Sequence, residues 1–197
     1  MAPTRKHTRQ SILEASFNFV REYGYEKISA RRIANYINAS TAPIYSNFKS
    51  IEELESKLEE KAVKLLNEIL SENLESDDTS CLDIPLKYVE FSIEERNLFN
   101  QISKSQKAIN FIKGRLENEL YDKMISYIKK QDFTEGLSEE QLQKIMTNVW
   151  LQTHGIASFL DMSKSKEENM KIAEKLLKNI LQSSVWAEKN KFELNNI

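Results

Sequence analysis

An all-α protein of about nine helices is the fold class this sequence predicts, and three observations predict it. Glycine and proline are scarce, at 4 and 3 of 197 residues, which favours long helices over turn-rich β structure. Apolar residues recur three and four apart along most of the chain, the spacing of a helix face, and no credible strand interrupts them. Three Ser-x-x-Glu/Gln segments, Ser50 to Glu53, Ser138 to Gln141 and Ser165 to Glu168, precede such runs and read as capping boxes.

In chain order, residues 1–7 form a basic arm. The first expected helix, Thr8 to Tyr23, carries Ile12, Ala15, Phe19 and Tyr23 on one face and ends on Gly24 as a left-handed cap. Ser29 caps a second, Ala30 to Ile37, in which Ile33, Ala34 and Ile37 share a face. Asn38 follows, a residue that tolerates the left-handed conformation a sharp turn needs. Ser40 caps a third helix, where Ile44 and Phe48 point one way and Thr41, Ala42, Tyr45, Ser46 and Lys49 the other. Pro43 is expected at its third position, where the missing N–H belongs to an unpaired donor anyway. Two short crossed helices with small Ala34 at the crossing make a helix-turn-helix, the second helix acting as reader. The first helix buries its back.

The capping box at Ser50 opens a long helix to about Leu74, followed by a polar loop, Glu75 to Asp83, holding Cys81. A helix from Asp83 to Ser92 or beyond carries Pro85 in its first turn, and a short one follows from Glu94 to Ser103. Ala108 to Lys130 is amphipathic through Ile109, Ile112, Leu116, Leu120, Met124 (or Ile125) and Ile128. After a loop from Gln131 to Leu137 come the last two, Ser138 to Met162 and Ser165 to Lys189. Residues 1–50 thus read as a helix-turn-helix DNA-binding domain and 51–197 as a second, all-helical domain, whose regulatory role in ligand binding and dimerisation is what the family resemblance given below implies.

Charge follows the same division. The net charge is −2 overall, yet eight basic and three acidic residues up to Ser50 leave that segment at +5. A basic head on an acidic body suits a DNA reader with a separate assembly domain. No apolar run approaches the roughly 20 residues that span a bilayer. The start lacks the apolar core of a signal peptide, and a single cysteine cannot form an internal disulfide, so a cytoplasmic setting is expected. Cys81 reads as an inert thiol. There is no phosphate-cradling glycine loop, no His/Cys cluster at metal spacing and no nucleophile elbow. With His7 and His154 the only histidines, no enzyme, cofactor or metal is expected, and His154 reads as a hydrogen-bonded packing residue.

The pattern Ser29-x-Arg31-x-Ile33-Ala34, then Ala39-Ser40, then Ile44-Tyr45-x-x-Phe48-Lys49-Ser50-x-Glu52-Glu53-Leu54 resembles the DNA-binding domain of tetracycline-repressor-type (TetR family) regulators. The resemblance is close over roughly the first 60 residues and beyond them extends only to the helical layout. Family members usually carry Gly where this chain has Asn38, an acid at Arg32 and Lys at Ile51. The match implies that Tyr45, Asn47 and Lys49 touch the DNA backbone, with Arg31 at the start of the preceding helix. Ser40, Thr41, Ala42, Pro43 and Ser46 complete the expected interface, the last four facing bases. The resemblance further implies a homodimer formed through the last two helices, for which Gly155, Ala157, Ser158, Ala173, Leu177 and Ile180 are candidates. It also implies a small-molecule effector that enters the helical body and shifts the fourth helix. Tyr88, Phe91, Phe99, Phe111, Tyr121 and Trp150 are candidate apolar lining for it, and Ser92, Asn148 and Gln152 candidate polar groups. The expected function is a dimeric transcription regulator, a repressor more than an activator, on a near-palindromic operator. The alternative is a helical ligand-binding or scaffold protein with degenerate DNA binding.

Overall fold

The computed structural model describes residues 7–72, 80–104 and 119–190, with only the backbone described at 119–121. Among these residues nine α-helices and two 3-10 turns form, and no strand. The helices are α1 (Arg9–Tyr23), α2 (Ala30–Tyr36), α3 (Ala42–Asn47), α4 (Ile51–Ser71), α5 (Asp83–Glu94), α6 (Arg96–Ile102), α7 (Glu119–Lys129), α8 (Glu139–Phe159) and α9 (Lys166–Lys189). They belong to two compact units, Met1–Asn67 with Glu95–Ser105, and Glu68–Glu94 with Gln106–Ile197. That division differs from a single break after residue 50, because most of α4 and all of α6 fold with the head.

In the first unit, α1 opens on a capping box that uses serine as its second partner. Thr8 Oγ1 accepts the Ser11 N–H at 3.1 Å, and Ser11 Oγ accepts the Thr8 N–H at 2.9 Å. Its buried face is Ile12, Ser16, Phe17, Phe19 and Val20. Ala15 is only half-buried and Tyr23 is exposed, so the apolar stripe lies rotated from the one expected. Gly24 ends α1 at φ 86°, ψ 158°, an extended conformation open to glycine alone, not the left-handed cap expected. Ser29 does cap α2, accepting the Arg32 N–H at 3.2 Å, and Asn38 does turn left-handed at φ 52°.

α6 packs on α1 and on the 3-10 turn at Tyr25–Lys27. Arg21 pairs with Glu95, which raises the guanidinium pKa further. The Asn97 amide donates to the Arg21 and Glu22 carbonyls at 2.8 and 3.2 Å, satisfying oxygens that the end of α1 leaves unpaired.

In the second unit, α5 packs against both α8 and α9, and α7 against α8. Their shared core includes Ile84, Tyr88, Val89 and Phe91 of α5, Ile145, Val149 and Trp150 of α8, and Ala173 and Leu177 of α9. From α7, Met124 and Ile128 are buried, so Met124 and not Ile125 takes the core position. Residues 105–118, where the expected helix from Ala108 would begin, lie outside the described residues. The boxes at Ser138 and Ser165 form with Gln141 and Glu168, as the spacing predicts. Cys81 is buried and its thiol is pushed up to about 11 by that burial, which keeps it inert at neutral pH.

Candidate nucleic-acid interface

The turn between α2 and α3 is built by Asn38 and by the Ala39 N–H, which donates to the Ala34 carbonyl at 2.8 Å. Ile33, Ala34, Ile44 and Phe48 are all buried, so each short helix is held by its inner face. Burying an Ile or Phe side chain contributes about 1.5–3 kcal/mol, whereas an isolated six-residue helix is unstable in water. The reader is therefore held by packing, not by its own propensity.

Its start departs from expectation. Thr41, not Ser40, occupies the N-cap position of α3, in a helical conformation (φ −73°, ψ −14°) and with no side-chain cap. Pro43 consequently falls at the second helical position instead of the third. With neither hydroxyl used as a cap, Ser40 and Thr41 both remain exposed on the outer face. Ala42, Tyr45, Ser46, Lys49 and Arg31 are exposed there too, Tyr45 at 57%, and Pro43 is half-buried. No acidic residue occurs between Glu26 and Glu52, so the outward face of the motif is free of carboxylates from its own sequence. Arg31 and Lys49 form no ion pair with a described residue, while Arg32 turns back to donate to the Lys27 carbonyl at 3.3 Å.

Asn47 differs from its neighbours. Its amide donates to the Pro43 carbonyl at 2.8 Å and, at 3.5 Å, to the His7 carbonyl. The side chain thus ties α3 to the segment before α1 instead of reaching outward. Behind it, Arg9 lies over the Phe48 ring at 4.2 Å, donates to the Asn47 carbonyl, and pairs with Glu53 at 2.8 Å. Glu53 also accepts the Lys49 N–H at 2.6 Å, so the capping box expected at Ser50 is displaced by one residue: Ser50 Oγ takes the Glu53 N–H, but Glu53 serves Lys49. Arg9 and then the Lys49 N–H hold the Glu53 carboxyl below the usual carboxylate range. Sequence reasoning counted Arg9 only as a positive charge, because its partner lies 44 residues away.

The candidate ligand and dimer residues fall out differently. Tyr88, Phe91, Ser92 and Trp150 are buried in the second unit, with the Tyr88 and Trp150 rings 4.9 Å apart between centroids. Ser92 donates to its own helix at the Val89 carbonyl. Asn148 donates to Ser184 Oγ at 2.7 Å, and Gln152 reaches Asn148; both are exposed and engaged with each other. Phe99 belongs to α6 of the first unit, so it cannot line a site built from the second unit alone. Phe111 and the Tyr121 side chain lie outside the described residues.

Of the dimer candidates, Ala157, Ala173 and Leu177 are fully buried within the chain. Gly155, Ser158 and Ile180 are half-buried. The exposed apolar side chains of these helices are instead Leu151 and Phe159, with Met162 just beyond α8, and Ile172, Leu176 and Trp186 on α9. His154 has its Nδ1 2.9 Å from the Tyr88 hydroxyl, the hydrogen-bonded packing role expected of it.

Two clefts open on the first unit. One, of about 540 Å³, is bordered by Phe19, Tyr23 and Tyr36 with Lys27 and Arg32. The other, of about 690 Å³, lies between Tyr25, Glu52, Glu55 and Glu59 and the amides of Asn97 and Asn100. Neither includes a candidate effector residue. No His/Cys/Asp/Glu group able to hold a metal occurs among the described residues, and none of their helices is long and apolar enough to cross a membrane.

No protein-family model and no curated protein matches the sequence. Among solved structures, a protein from Rhodococcus sp. described as a "putative TetR-family transcriptional regulator" aligns with 88% of this chain and 98% of its own. The TM-score is 0.57 and the identity 16%, a likeness of fold that extends well past the helix-turn-helix.

Proposed function

We propose that this chain is a DNA-binding transcriptional regulator of the TetR type, acting as a homodimer on a near-palindromic operator and released from it by a small molecule, as a repressor would be. The observation that carries the proposal is the outward face of the α2–α3 motif. It is exposed, free of acidic residues, and offers Arg31 and Lys49 beside the hydroxyls of Ser40, Thr41, Tyr45 and Ser46. Such a face can take phosphates through its cations and tyrosine while the short residues approach base edges. The fold shared with the Rhodococcus protein supports the same reading.

Dimerisation draws support from α8 and α9. Leu151, Gly155 and Phe159 share one side of α8, and Ile172, Leu176 and Trp186 one side of α9. Phe159 is 91% exposed, an unfavourable arrangement for a monomer in water. A Cβ added to Gly155 would meet nothing within 4 Å. Packing inside the chain therefore does not explain a mid-helix glycine that costs about 0.5–1 kcal/mol relative to alanine. A second helix crossing there would explain it.

Selection of bound fragments from a random DNA pool tests the proposal. The base-facing set Thr41, Ala42, Pro43 and Ser46 has no arginine or lysine for the bidentate guanine contact, so the contacted positions should be rich in A·T, arranged as an inverted repeat. A pool that shows no enrichment at moderate salt would remove the regulator reading and leave a helical binding protein.

A further inference from the structure

We propose that Arg9 is a positioning residue that clasps the reader helix at its C-terminal end, and that it is not one of the cations that neutralise DNA phosphates. This rests on the regulator reading above. α3 has six residues, no side-chain cap at its start and a proline in its first turn, so little within the helix fixes its position. At its other end three chain segments converge on one side chain. Arg9 donates to the Asn47 carbonyl, which the end of α3 leaves without a helical partner; it pairs with Glu53 in the first turn of α4; and it stacks on Phe48 between them.

Glu53 closes the clasp by accepting the Lys49 N–H at 2.6 Å, and the Asn47 amide adds a tie from α3 to the His7 carbonyl. A planar guanidinium can serve a carbonyl, a carboxylate and a ring face together; an ammonium cannot. The same geometry fixes Lys49, the residue at the helix end that would meet the DNA backbone. Arg9 lies in the basic head, and its charge is matched by Glu53 within hydrogen-bond distance. A phosphate ligand would leave that cation available.

The two roles predict opposite signs for one substitution. Removing Glu53's charge beside DNA should tighten binding if Arg9 is a phosphate ligand held back by it, and weaken binding if the pair positions α3. Binding of the selected duplex is measured by fluorescence anisotropy across a salt series for wild type, Arg9→Gln, Arg9→Lys, Glu53→Gln and the Arg9→Gln/Glu53→Gln pair. Each glutamine variant should bind about fivefold weaker or worse, the scale of one partly exposed charge-assisted hydrogen bond. The salt slope should match wild type, the double variant should be no weaker than the worse single, and Arg9→Lys should recover only part of the loss. A slope reduced by about one in Arg9→Gln, with tighter binding by Glu53→Gln, overturns the proposal. So does unchanged affinity in both.

Exchange of the Lys49 amide in the DNA-free protein supplies a second reading, independent of any operator. It should quicken about fivefold in Arg9→Gln while amides of α8 keep their wild-type protection. If wild type binds no duplex, the regulator reading has failed on its own account and the DNA-positioning role falls with it. Unchanged Lys49 exchange overturns the clasp itself, whether or not DNA is bound.

Discussion

Arg31 and Arg9 show how far the environment of a residue decides what its charge can do. Both count equally toward the basic head, but Arg9 is matched by Glu53 and Arg21 by Glu95. Arg31 stands instead in the first turn of α2, where the helix's positive end makes a cation unfavourable by roughly 0.3–1 kcal/mol. Phosphates would offset that cost. Arg31→Ala and Lys49→Ala should therefore weaken binding to all sequences alike and each lower the salt slope by about one. A salt titration that returns the wild-type slope for both removes them from the interface. What was legible at this scale was local. Ser29 and Asn38 act within three or four residues of themselves, through a cap and a left-handed turn, and their roles follow from residue type. Whether Ser40 or Thr41 stood at the cap of α3 depended on where buried Ile44 and Phe48 placed the helix, and Arg9's role on Glu53, 44 residues on; neither is visible locally.

At the scale of elements, helical periodicity located the nine helices found among the described residues, because each buries one face and that face repeats at helical spacing. It did not say which neighbour covers the face. Ala157, Ala173 and Leu177 looked available to a partner chain and are fully buried within this one, whereas Phe159 and Leu176 carry the exposure. Replacing Leu177 by Glu would bury a charge and unfold the unit, so it cannot test assembly. Leu176→Glu or Phe159→Glu places the charge on the open face: light scattering should show a monomer with wild-type helicity, and an intact dimer in both would move the interface elsewhere. The α5–α8 contact offers a pH test. Burial lowers the His154 pKa from its usual 6.5, so the folded unit favours the neutral ring, hydrogen-bonded to the Tyr88 hydroxyl. The unfolded chain then binds more protons below that value. The contribution is complete above about pH 6.5 and is lost as pH falls through the depressed value. The urea midpoint should decline as the buffer is taken from neutrality towards about pH 5, and His154→Gln, which keeps an acceptor without titrating there, should flatten that part of the curve. An identical decline in the variant assigns it to other groups.

For the whole molecule, net charge divides along the two compact units: the unit that carries α2 and α3 has 13 basic and 9 acidic residues, the other 15 and 21. Among the described helices α4 contributes residues to both units, Ile51–Asn67 to one and Glu68–Ser71 to the other. A regulator of the proposed kind would couple ligand and DNA thermodynamically: an effector that lowers DNA affinity by some factor would bind the DNA-free protein more tightly by the same factor. Measuring effector affinity with and without duplex, beside duplex affinity with and without effector, checks the equality; two unequal factors would mean that the four measurements report different states. The residues proposed to meet an effector are best probed conservatively. Phe91 and Trp150 are 2% and 4% exposed, so truncating either to alanine would cost about 3–5 kcal/mol, a large part of the 5–15 kcal/mol that holds a domain together. Phe91→Leu and Trp150→Phe keep most of the volume and should leave ligand-free DNA binding intact. If these side chains meet the effector, the concentration needed to release DNA should rise severalfold in each, with dimer and thermal midpoint close to wild type. Release at the wild-type concentration in both, from folded dimers, places the effector away from the α5–α8 core.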